Sequence, residues 1–249
     1  MNKWNFLDSG SGDGIANMSR DEELLAHAQA GETAPVFRFY TWNPPTVSLG
    51  RFQKAETAVN TEACKRRGVD IVQRVTGGRA VFHRQELTYS IVARADDPLF
   101  PSDVLGTYKV IATGLLAGLN NLGISAEMVS RGGRHAALVK RERKDPACFS
   151  SPSWYEIVAR GRKIIGSAQR RLPRAFLQHG SVLLDYDAGL EAELIPGRCV
   201  GDVVTCIQRE RGREVPIAEV KQAFIKGFAE ALQIEFTGIS SPQMALNKG

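Results

Sequence analysis

Apolar residues recur along this chain with two different periods. Between residues 103 and 122, Val104, Tyr108, Ile111, Leu115, Leu119 and Leu122 fall at spacings of three and four, with Gly123 behind them as a C-terminal stop. That spacing predicts a helix. Ile217, Val220, Phe224, Phe228 and Leu232 mark a second amphipathic helix. Further helices are expected over 15–30, ending at Gly31, and over 55–67, stopped by Gly68. Short apolar or alternating runs predict strands at 4–8, 36–42, 46–50, 69–72, 155–158, 163–165 and 182–184. Asn43-Pro44-Pro45 separates the second from the third, and Gly161, Gly166 and Gly180 read as breaks between the last three. Strands and helices alternate irregularly, which argues for an α+β fold with a mixed, largely antiparallel sheet and helices packed on it. A chain of 249 residues can bury a full core, and one principal domain over 1–249 is expected.

Composition narrows the classes. Hydrophobic residues at 43% and charged residues at 24% match an ordinary globular protein, so neither disorder nor a fibre is implied. No apolar run has signal-peptide length or approaches the roughly 20 residues of a membrane span, which predicts a cytoplasmic protein with no membrane partner. Cys64, Cys148, Cys199 and Cys206 form neither a CxxC pair nor a zinc-type spacing with histidine, as expected of separate thiols in a reducing compartment. The net charge of +5 favours an acidic partner. Zinc-finger spacing, an RNP-type aromatic motif and a basic helix leading into heptads are all missing from the sequence, so no nucleic-acid partner is expected. Much of the positive charge sits in a loop at about 130–147, which carries Arg131, Arg134, Lys140, Arg141, Arg143 and Lys144. It reads either as a solvated excursion or as a surface for an acidic carrier protein.

Four segments carry candidate chemistry. In Arg74-Val75-Thr76-Gly77-Gly78-Arg79-Ala80-Val81-Phe82-His83, two glycines sit between a strand and another apolar run. Paired glycines let backbone approach a ligand with no Cβ in the way, and Arg74 and Arg79 can pair with a carboxylate or phosphate. A tight hairpin turn explains the same pattern. The segment fits neither GxGxxG nor GxxxxGK[ST], so nucleotide binding by those routes is unsupported. Cys148 lies between Pro146 and Pro152, just after the basic loop. A thiol among cations is thiolate-rich, whereas a buried one is inert, and taken alone the inert reading is the stronger.

Gly161-Arg162-Lys163-Ile164-Ile165-Gly166-Ser167-Ala168-Gln169 places a lysine in a strand. Strict alternation puts Lys163 and Ile165 on one face and turns Lys163 towards a pocket; an edge-strand lysine is the plain alternative. An ammonium beside a thiol favours the thiolate and can donate to a developing oxyanion. His179, in Gln178-His179-Gly180-Ser181, and His83 are candidate proton carriers, although a histidine satisfied by a backbone carbonyl is the commoner case.

Together, the order and wording of these segments resemble the lipoate and octanoate attachment family, which shares its catalytic fold with biotin protein ligases. The segment 74–83 is similar to the family's ligand-loop motif, 161–168 to its lysine motif, and Asn17-Met18 with Asp21-Glu22 to its first helix. The resemblance spans nearly the whole chain. Cys148-Phe149, followed by Pro152-Ser153 and Tyr155-Glu156, resembles the nucleophile region of the bacillus-type octanoyltransferase branch. Arg79 fits that branch too, where ligases more often have a third glycine, and the spacing from Cys148 to Lys163 agrees with it.

The resemblance implies transfer of an octanoyl group from acyl carrier protein to the lysine of a lipoyl-domain protein, in protein lipoylation. The recipient would be glycine cleavage H protein or a 2-oxoacid dehydrogenase E2 subunit. Cys148 would form a thioester, Lys163 would be the cation that lowers the thiol pKa, and no ATP, cofactor or metal would be needed. Substrate-binding positions implied are Arg74, Gly77, Gly78, Arg79, Val81, Phe82, His83, Gly166, Ser167, Ala168 and His179. Val75, Val81 and Phe82 are expected to wall an apolar tunnel for the acyl chain. Competing readings are an ATP-dependent lipoate ligase with Cys148 incidental, an amidotransferase between lipoyl-bearing proteins, and a non-catalytic module that binds an acidic protein or RNA.

Overall fold

The computed structural model describes residues 2–129, 156–197 and 203–240. Cys148, Cys199 and the basic loop at 130–147 lie outside the described residues. In chain order the first elements are β1 (Asn2–Gly12), α1 (Gly14–Ala30), β2 (Val36–Trp42), β3 (Thr46–Leu49), α2 (Ala55–Ala58), α3 (Thr61–Arg67) and β4 (Asp70–Gln73). There follow β5 (Val81–His83), β6 (Glu86–Arg94), α4 (Val104–Asn121), β7 (Ala126–Met128), β8 (Ile157–Ala159), β9 (Arg162–Arg171) and β10 (Ala175–Leu183). The chain continues through α5 (Ala188–Leu194), α6 (Ile207–Arg211), α7 (Ile217–Leu232) and β11 (Ile234–Ser240).

Among the described residues the strands form an eight-stranded sheet, in the order β11-β1-β2-β6-β10-β9-β8-β7, and a three-stranded sheet, β4-β3-β5. Pairing is parallel for β11-β1-β2 and β3-β4 and antiparallel elsewhere, the mixed α+β arrangement expected. The centre of the large sheet is the least legible part of the sequence. β6 is buried at eight of nine positions and β10 at all nine, so neither alternates, and no strand was signalled at 86–94. Gly166 and Gly180 do not break strands. They lie inside β9 and β10, Gly166 opposite Ser181 and Gly180 opposite Ser167, and a Cβ on Gly180 would stand 2.6 Å from the Gly166 carbonyl.

Helix boundaries follow local chemistry closely. Asp13 caps α1 by accepting from the Ala16 amide at 2.7 Å, and Gly31 closes it in the left-handed region. The helix expected over 55–67 is two helices, because Asn60 turns inward to cap a new start at the Ala63 amide. α4 and α7 pack by inserting Phe224 and Phe228 against Gly118 and Gly114. A Cβ on either glycine would lie 2.4–2.6 Å from a ring carbon. Their apolar faces and Trp4, Phe37, Tyr89 and Ile111 make the main core. Cys64 and Cys206 are buried free thiols, and burial pushes both pKa values up. Among the described residues no helix is long and apolar enough to cross a membrane.

Candidate active site

A cleft of about 730 Å³, including the part open to solvent, lies where the small sheet meets the middle of the large one. β9 brings Lys163, Gly166, Ser167 and Ala168 to it, and β10 brings His179, Gly180 and Ser181. Met18, Tyr40 and Trp42 line it from α1 and β2. From segment 74–83, Arg74, Gly78, Arg79, Val81 and His83 reach it. Gly77 does not line the cleft, although its carbonyl accepts from Arg74. Phe82 lines a second, smaller cavity beside Glu86 and Leu183, because alternation along β5 turns it away from its neighbours. Val75 packs against the cluster of Leu24, Val36 and Leu177. Of the three residues expected to wall a tunnel, Val81 is the one at the cleft.

Arg74 organises the loop rather than presenting a free guanidinium. Its Nη2 donates to the carbonyls of Gly77 and Arg79, both at 2.8 Å, and its Nη1 to the Ser48 carbonyl at 2.8 Å. It also donates to two hydroxyls, Ser48 Oγ at 3.0 Å and Thr76 Oγ1 at 3.2 Å. Each hydroxyl meets a histidine: Ser48 Oγ lies 2.8 Å from His83 Nε2, and Thr76 Oγ1 lies 2.7 Å from His179 Nε2. Each histidine in turn meets a buried carboxylate, His83 Nδ1 with Glu86 at 2.9 Å and His179 Nδ1 with Asp21 at 2.9 Å.

Two carboxylate–histidine–hydroxyl chains thus converge on one arginine. The carboxylates only accept, which places a proton on Nδ1 of each histidine, and each hydroxyl has the lone pairs to accept from Arg74 while it bonds Nε2. Both ring nitrogens of each histidine are engaged in this network, which suits them to hold the loop. Asp21 is fully buried and also accepts from Arg38 at 2.8 Å and from Tyr40 at 3.0 Å. Burial raises its pKa, but the hydrogen bond and charge of His179 and the charge of Arg38 outweigh that and hold it below the ordinary carboxylate range.

Lys163 is 3% exposed, and its Nζ donates to Glu156 Oε1 at 2.5 Å. A buried ammonium costs several kcal/mol unless a charge and hydrogen bonds compensate it, and Glu156 supplies both. The lysine backbone is held on its free edge by Val203 and Thr205, each at 2.8 Å. Lys163 and Ile165 do not share a face as strict alternation predicts. The β8–β9 register slips by one residue at Ile164, so Lys163 lines the cleft while Ile164 and Ile165 both enter the main core. Arg79 lines the same cleft, and its Nη1 is buried with no hydrogen-bond partner. Ser167 Oγ is fixed by the Tyr89 hydroxyl at 2.7 Å, and burial pushes the Tyr89 phenol up to about 12.

Glu156, Asp21, Ser48, Thr76 and Glu86 have no local signal for these roles. Asp21 and His179 are 158 residues apart, and the packing of α1 on β10 brings them together.

The Lipoyl protein ligase A/B catalytic domain family matches residues 13–229. The octanoyltransferase LipM of Brevibacillus brevis is 42% identical over 247 residues, covering 95% of this chain and 90% of its own. The octanoyltransferase LipM of Geobacillus kaustophilus is 42% identical over 241 residues, covering 93% and 87%. A crystal structure of lipoate-protein ligase A bound with ATP superposes with a TM-score of 0.77 at 25% identity, over 98% of this chain and 92% of that one. With a family match across most of its length and octanoyltransferase relatives at this identity, the chain belongs to the lipoyl protein ligase A/B catalytic domain family and is an acyltransferase.

Proposed function

We propose that this acyltransferase carries an octanoyl group from acyl carrier protein to the lysine of a lipoyl domain through a thioester on Cys148. The observation that carries the reading is Lys163: an ammonium buried in the cleft and paired with Glu156, the latter standing eight residues after Cys148 in the chain. Two relatives of the same length class bear the name octanoyltransferase, which supports octanoyl as the acyl group.

In the first step the Cys148 thiolate attacks the thioester carbonyl carbon of the donor. Lys163 donates to the tetrahedral oxyanion, and Arg79, whose buried Nη1 has no hydrogen-bond partner, is a second cation at the cleft able to do so. The carbon–sulfur bond to the carrier then breaks, and the carrier thiolate takes up the proton that Cys148 gave up. In the second step the acceptor lysine's amine attacks the Cys148 thioester. A carbon–nitrogen bond forms, the bond to Cys148 breaks, and the amine proton passes to the departing sulfur. The thioester is already activated, so ATP is not required. Burying the acyl chain contributes about 0.8 kcal/mol per CH₂.

Intact-mass measurement after mixing with octanoyl carrier protein, without ATP, tests the reading. The expected result is one octanoyl adduct that hydroxylamine removes and that Cys148→Ser no longer forms as a thioester. Acylation that appears only with octanoate and ATP would assign the chain to the ligases instead.

A further inference from the structure

Phe52 is 88% exposed, and among the described residues no other large apolar side chain is as open to solvent. It does not sit on a loose loop. The Gln73 side-chain amide donates to the carbonyls of Gly50, Arg51 and Gln53 at 3.1, 2.9 and 3.2 Å. The Gln53 side chain accepts from the Gly50 amide at 3.1 Å, and the Arg51 amide donates to the Thr76 carbonyl at 2.9 Å. Gly50 packs so closely on Gly78 that a Cβ there would stand 1.8 Å from the Gly78 carbonyl. The turn is thereby locked to the glycine loop that lines the cleft.

A phenylalanine left in water forgoes the free energy its burial would give. A rigid turn that keeps it there points to a partner that covers it. Its neighbours indicate the partner's charge. The Arg51 guanidinium carbon lies 5.6 Å from the ring centroid, and Arg51 and Lys54 are both exposed. An aromatic flanked by cations is a common composition for the centre of a protein–protein contact, and here it suits an acidic surface.

We propose that the Arg51–Lys54 turn is the docking point for the protein that bears the acceptor lysine. Reach decides for the acceptor over the donor. A lysine amine extends only on the order of 6 Å from its own backbone, so the acceptor's body must sit against the cleft mouth. The carrier presents its thioester on a long flexible arm and can dock further away. The identity of the partner rests on the acyl-transfer reading; the existence of the docking point rests on the turn.

The test uses the full chain with Phe52→Ser and with the charge reversal Arg51→Glu/Lys54→Glu, both at exposed positions. Binding of an unacylated lipoyl domain, followed by NMR titration, is expected to weaken about tenfold in each variant and to weaken with salt in the wild type. Loading of the enzyme from octanoyl-coenzyme A, followed by intact mass, is expected to be unchanged. Unaltered binding of the lipoyl domain overturns the proposal. So does a weakened affinity for the carrier protein alone, which would make the turn a donor site. So does a change in the wild-type molecular mass in solution on Phe52→Ser, which would make it a contact between copies of this chain. The titration needs no thioester, so failure of Cys148 to load would count against the mechanism and leave this reading to stand or fall on binding.

Discussion

Lys163 and Glu156 form a buried ion pair at the wall of the cleft, with Nζ 2.5 Å from Oε1. The carboxylate keeps an ammonium where water cannot, so the two residues act as one unit. On the proposed mechanism Lys163→Met removes a donor to the oxyanion and is expected to slow thioester formation by about 10²–10³. Glu156→Gln keeps the shape, removes the carboxylate charge beside the ammonium and is expected to cost about tenfold. Rapid-quench loading read by intact mass checks both. Lys163→Met rates within twofold of wild type would remove the pair from the chemistry.

Asp21 makes stability depend on acid in a predictable direction. Its folded pKa is below the ordinary 3.8, so its contribution is fully present above the unfolded value and is lost as pH falls through the folded one. Urea midpoints are expected to decline below about pH 4 for this reason. Asp21→Asn leaves Arg38 buried with a neutral partner and is expected to lower stability by about 3 kcal/mol at neutral pH, with a shallower acid limb. Parallel acid limbs for variant and wild type would contradict the assignment.

Two glycines at the loop separate packing from chemistry. Gly50→Ala places a Cβ 1.8 Å from the Gly78 carbonyl, whereas a Cβ on Gly77 meets nothing within 4 Å. Gly50→Ala is therefore expected to cost about 2–3 kcal/mol and to displace the loop, while Gly77→Ala stays within about 0.5 kcal/mol. Chemical denaturation of the two variants decides it, and equal costs would refute the close approach.

Arg79 has a buried nitrogen with no hydrogen-bond partner at the cleft. That nitrogen is suited to an oxygen that arrives with the substrate. Arg79→Ala is expected to reduce thioester formation about tenfold without loss of stability, and Arg79→Lys to recover part of it. A variant with wild-type loading would leave the residue with a structural role alone.

The local rules did well where the information is local. α1, α4 and α7 lie where their apolar spacing, caps and stops place them, and the glycine loop lies where two glycines interrupt an apolar run. They failed at 86–94 and found only the end of β10, at 182–184, because strands covered on both faces lose the alternation that reveals a strand. Gly166 and Gly180 misled for a related reason: glycine serves a close backbone approach as well as a turn.

By itself the sequence determined the helices, the mixed α+β class and the segments that carry arginine, lysine and histidine near the chemistry, since each depends on neighbours within a few positions. Tertiary structure alone decided what those residues face. Arg74 became the clamp of the loop, His83 and His179 were tied to Glu86 and Asp21, and Lys163 met Glu156 beside a one-residue register slip. Partners far apart in the chain meet only after strand order and register are set. Those depend on how all the strands bury their faces together, a property no short stretch of sequence contains.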